Sequence, residues 1–128
     1  MGFDREYLVF ALAYVVVGMG LGLYMGASQN HGQLVTHAHP LLVGFVVSFI
    51  YAIIHKLWLP APGRGLAHAQ LVLHQLGALV MCAALFGMFA GFGSEDSLGP
   101  VLGIASAAVL AGAVLMVVLV AKSRNALA

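Results

Sequence analysis

Six histidines punctuate a 128-residue chain whose lysines and arginines together number five. His37 and His39 stand either side of Ala38, and Pro40 follows at once. An imidazole offers two distinct nitrogens, is neutral over much of the physiological pH range, and is the commonest metal ligand among side chains. In hydrocarbon it needs a partner, a metal or a water-filled path. Two imidazoles entering the membrane together incur a desolvation cost that coordination to a metal or haem iron offsets. On a helix turning about 100° per residue, positions two apart point to nearly opposite sides, so one helix can serve two separate sites. Pro40 removes the helical hydrogen bond to Thr36, so the helix is expected either to begin there or to kink there.

The other histidines divide by surroundings. His31 lies in a polar stretch and reads as solvated, while His55, beside Lys56 and Trp58, reads as interfacial. His68, at the start of an apolar run, also reads as interfacial. His74 has apolar sequence neighbours and is either a hydrogen-bonded structural residue or a ligand. The candidate cofactor-binding and metal-ligating residues are therefore His37, His39 and His74, and no residue stands out as catalytic.

The elements that position them are hydrophobic spans. Of all residues 62% are hydrophobic and 7% charged, far from the composition of a soluble domain. A bilayer core takes roughly 20 apolar residues per helix, and four such runs fit along the chain, at about 7–27, 35–59, 66–92 and 98–121. Short turn-forming stretches separate them, Ser28 to Gly32, Pro60 to Gly65 and Gly93 to Ser97, so neighbouring helices are antiparallel. The expected fold is all-α, one four-transmembrane-helix antiparallel bundle covering residues 1–128. Arg5, Lys56, Arg64, Lys122 and Arg124 avoid the first and third connections, which by the positive-inside rule places both termini in the cytoplasm of a multi-pass inner (plasma) membrane protein. The first run follows Asp4-Arg5-Glu6 and is too long for a cleaved signal core, so it reads as a retained span.

A net charge of +1 gives no basis for nucleic-acid binding. Cys82 stands alone, mid-helix, as a small packing residue. Gly18, Gly22 and Gly26 recur every four residues, as do Gly87 and Gly91, lining small residues along one helix face. Such faces serve either intrachain packing or self-association, and a homo-oligomer in contact with membrane lipid is expected, because four short helices supply little wall around a large ligand.

The segment Thr36-His37-Ala38-His39-Pro40-Leu41-Leu42-Val43-Gly44, with Ile54-His55-Lys56-Leu57-Trp58-Leu59-Pro60 after it, resembles the His-x-His helix of haem-copper oxidase subunit I. The spacing of Gly44 from His37 is most similar to the nitric oxide reductase and cbb3-type branches. The match spans about 25 residues, and Gln70-Leu71-Val72-Leu73-His74-Gln75-Leu76-Gly77 is more loosely similar to the family's following helix. The resemblance implies that His37 and His39 are iron ligands facing opposite ways and that their helix runs inward from the outer side. The family's three histidines for a second metal and its remaining helices are absent, so a complete oxidase site cannot be built from this chain alone.

The expectation that follows is a b-type haem protein, a haem-copper-oxidase-like module for electron transfer or diatomic-gas binding, with quinol or a respiratory-chain redox protein as its partner. Copper beside the haem, and a role as an oxidoreductase component, stay open. A missing axial ligand would come from His74, Met25, Met88 or another protomer. By helical rise His39 lies about 6–9 Å below the outer surface and His74 about 12 Å above the inner one, so a symmetry-related His39 is better placed than His74 to complete a haem. The alternatives are a transition-metal or proton transporter using His39, His74, His68 and His55 as a ladder, and a structural subunit of a respiratory complex.

Overall fold

The computed structural model describes residues 1–123; Arg124, one of the five basic residues used for orientation, lies outside them. Four helices account for nearly all of the described chain: α1 Phe3–Ser28, α2 Leu34–Trp58, α3 Arg64–Phe89 and α4 Glu95–Lys122. Each is long and apolar enough to cross a bilayer, so the chain is a multi-pass membrane protein with an all-α, antiparallel fold.

The boundaries differ from the hydropathy runs by a few residues, for local reasons. α4 begins at Glu95 rather than near Leu98 because Ser94 caps it: its hydroxyl accepts from the Ser97 amide while the Ser97 hydroxyl accepts from the Ser94 amide. Glu95 and Asp96 then lie in the first turn, where the helix dipole favours negative charge. α3 ends at Phe89 rather than Phe92 because Gly91 takes φ +83°. The Phe92 amide closes onto the Gly87 carbonyl at 2.8 Å and the Gly91 amide onto Met88 at 3.3 Å, a Schellman stop that needs a residue tolerant of the left-handed region.

Pro40 neither starts α2 nor breaks it. The helix runs from Leu34, and from Pro40 to Val46 it widens into a π segment before resuming as α-helix at Val47. Proline lacks the amide for an i−4 bond and its ring crowds that carbonyl, and a wider turn absorbs both defects. The widening also sets phase. In an ordinary helix, residues four apart drift around the axis, whereas the wider turns hold Thr36, Pro40, Gly44 and Ser48 on one buried face.

α1 packs on α2 along most of its length, as α3 does on α4, and the two pairs meet mainly through α2 and α3. The α1–α2 seam is shaped by small residues. A side chain at Gly18 would strike Leu41, one at Gly22 would meet His37 Cε1 at 2.8 Å, and one at Gly44 would overlap the Tyr14 ring. Gly18 and Gly22 therefore serve intrachain packing. Gly26 meets nothing within 4 Å. At the end of the bundle bearing Arg5, Lys56, Arg64 and Lys122, the core gathers Tyr7, Tyr51, Leu71, Met116 and Leu119 from all four helices. A smaller cluster of Met81, Leu85 and Ala105 lies toward the other end.

Gly44→Val should therefore overpack the seam and destabilise the protein by about 1–3 kcal/mol, whereas Gly20→Ala, which meets nothing, should change stability by less than about 0.5 kcal/mol. Thermal unfolding in mild detergent, followed by loss of helical circular dichroism and of monodispersity, checks the pair.

Candidate functional site

α2 carries its two adjacent histidines just ahead of the π segment, and each ring is held by a backbone carbonyl. His37 Nδ1 lies 2.7 Å from the Gly18 carbonyl of α1, and His39 Nδ1 lies 2.8 Å from the Val35 carbonyl one turn back on its own helix. A carbonyl only accepts, so in both rings Nδ1 carries the hydrogen and, in the neutral imidazole, Nε2 keeps the lone pair. This is the arrangement by which a second-shell carbonyl fixes the tautomer of a metal-ligating histidine. His37 is half-buried over the groove that Gly18 and Gly22 leave in α1. His39 is half-buried on another side of α2, in line with the exposed Val35 one turn before it and, by the four-residue spacing of the wide turns, with the half-buried Val43.

His74, the third candidate, is elsewhere. It is fully buried on α3, in a polar and aromatic seam inside the membrane. Its Nε2 lies 3.3 Å from the Ser48 hydroxyl, which accepts from the Gln75 amide at 3.0 Å. Tyr51 meets its ring edge-on at 5.0 Å between centroids. Tyr7 donates to Gln70 Oε1, and Gln70 Nε2 donates to the Gly112 carbonyl of α4 at 3.1 Å. Tyr14 donates to the Gln75 carbonyl at 3.4 Å. His74 Nδ1 and Gln75 Oε1 have no hydrogen-bond partner among the described residues.

His37, His39 and His74 are thus not gathered into one centre. Among the described residues no three or more His, Cys, Asp or Glu side chains cluster closely enough to hold a metal ion. His31 and His68 are exposed, as expected. His55 lies in the last turn of α2 but is covered by protein: it is 4% exposed and stacked between Phe3 and Tyr7. Met25 is buried and Met88 half-buried. Ser48, Tyr51 and Gln75 assemble around His74, while Tyr7, Tyr14 and Gln70 join the same seam without any sequence motif to mark them. The signal available was chemical: amides and hydroxyls at membrane depth require internal partners.

No family model, curated protein or solved structure matches the chain.

A double-mutant cycle tests the seam. Tyr7→Phe and Gln70→Leu should each destabilise the protein by roughly 1 kcal/mol, and together by less than the sum, with a coupling of about 0.5–1.5 kcal/mol. Additive losses in reversible unfolding measurements would show that the bond contributes nothing.

Proposed function

We propose that the protein is a membrane-embedded b-type haem-binding protein that transfers electrons or binds a diatomic gas, with His37 and His39 as its iron ligands. The observation that carries this reading is the pair of Nδ1–H···O=C bonds, which leave two Nε2 lone pairs on different sides of α2. Haem iron needs only one or two protein ligands, so the lack of a three-residue cluster among the described residues is no obstacle. The residues fit such a group: His39 is half-buried among apolar neighbours on its own face of α2, the exposed Val35 and the half-buried Val43, against which a porphyrin could pack.

His39 is turned away from the α1 groove that holds His37, so a second copy of the chain would supply the other wall and a further histidine. His74 is enclosed by Ser48, Gln75 and Tyr51, and serves the bundle rather than an axial position. Bound haem would supply one-electron chemistry or an open iron position for a gas. The protein's part is ligation, exclusion of water and an apolar surround. The distribution of Arg5, Lys56, Arg64 and Lys122 supports placing the histidine pair at the outer side of the inner membrane, with both chain termini in the cytoplasm. A ladder of His39, His74, His68 and His55 is less well supported, because His68 is exposed while His55 and His74 share a buried cluster.

Protein purified from haem-replete cells should be red, with a reduced α-band and pyridine haemochrome in proportion to chain. His39→Ala should remove most of that haem, whereas His68→Ala should leave it unchanged. A colourless preparation, or full haem retention in the His37→Ala/His39→Ala double variant, would contradict the assignment.

A further inference from the structure

At the opposite end of the bundle from the histidine pair, a cavity of about 480 Å³ opens between the α2–α3 connection and the last turn of α4. Its deepest walls are Leu59 and Leu119, 3% and 4% exposed, while Trp58 at 39% and the exposed Lys122 stand at its rim. We propose that this cavity binds the head group of an anionic phospholipid. Charge is the first reason. Among the described residues Lys56 and Asp4 make the sole salt bridge, so no described carboxylate neutralises Lys122. No carboxylate lines the cavity either, and Glu95 and Asp96 lie at the far end of α4. An exposed ammonium without a counter-ion is a ready partner for a phosphate. α3 starts on the same wall, and Gly63 gives its first amides no side-chain cap, which adds donors beside the lysine.

Depth and polarity are the second reason. Trp58 and Lys122 end two antiparallel-bundle spans on the same side, at the level where tryptophan and lysine meet lipid head groups. A free anion gains nothing from Leu59 and Leu119, whereas a lipid carries its glycerol and upper acyl carbons directly after the phosphate and buries them on that floor. A neighbouring cavity, lined by Asp4, His55 and Lys56, lacks this character, because its lysine lies 3.9 Å from a carboxylate. Phosphatidylcholine shares the phosphate, but its trimethylammonium group opposes Lys122, so the site selects lipids of net negative charge.

This site is separate from the one proposed for haem and stands or falls independently of it. Trp58, the sole tryptophan, is the reporter. Protein in phosphatidylcholine nanodiscs is given phosphatidylglycerol brominated in its upper acyl chains, and quenching is compared with that by phosphatidylcholine brominated at the same place. Phosphatidylglycerol should quench at an about fivefold lower mole fraction. Lys122→Gln should remove most of that preference, whereas Lys56→Gln, which takes the same charge from the same end, should leave it. Gly63→Leu, whose side chain enters open space at the cavity wall from a backbone with φ −58°, should also weaken it. Millimolar inorganic phosphate should not relieve the quenching. Equal quenching by the two lipids, a preference that survives Lys122→Gln or Gly63→Leu, an equal loss in Lys56→Gln, or relief by inorganic phosphate would each overturn the proposal.

Discussion

In a bilayer core a polar side chain has no water to fall back on, and the bundle is organised around that constraint. Gln70 is its hub, accepting from Tyr7 of α1 and donating to the Gly112 carbonyl of α4 from its place on α3. Ser48 ties α2 to the same seam through His74 and Gln75. Apolar surfaces alone give helices in lipid little reason to choose one rotation or depth over another. Polar contacts reaching all four helices restrict both, because slipping any one of them strands a donor or acceptor in hydrocarbon.

The second constraint is Pro40, and it acts on the histidines through the backbone. A proline one turn into a span would ordinarily bend it, yet α2 continues by widening from Pro40 to Val46. Just before that segment, His37 is directed into the Gly18 and Gly22 groove of α1, where glycine alone leaves room for an imidazole. His39 is turned away, its Nδ1 on the Val35 carbonyl. Packing and ligand preparation are therefore one device: the carbonyls that relieve the desolvation of each ring also choose the nitrogen left free.

Much of this was legible in the sequence, for identifiable reasons. Hydropathy located the four spans to within a few residues, because lipid imposes length and apolarity on each; the errors fell at α4, where a serine cap extends the helix, and at α3, where Gly91 shortens it. The divergence of His37 and His39 followed from helical angle alone. The burial of His55 was hidden, because nothing local shows that Phe3 and Tyr7, some fifty residues away, close over it. The π segment was hidden for a related reason: Pro40 signals a lost hydrogen bond, but whether the chain answers by starting, kinking or widening depends on what the downstream face must meet. The role of Gln70 required knowing that Tyr7 and Gly112 arrive beside it.

The central claim is that both histidines of the pair are preset with a hydrogen on Nδ1 and a free lone pair on Nε2. Nitrogen-15 NMR of histidine-labelled, haem-free protein in nanodiscs measures this directly, with His37→Gln and His39→Gln assigning the signals. The geometry predicts a protonated Nδ1 and an unprotonated Nε2 at both residues, and selective broadening of the His39 Nε2 signal when haemin is added. An Nε2-protonated tautomer at either residue, or a His39 signal indifferent to haemin, would contradict it.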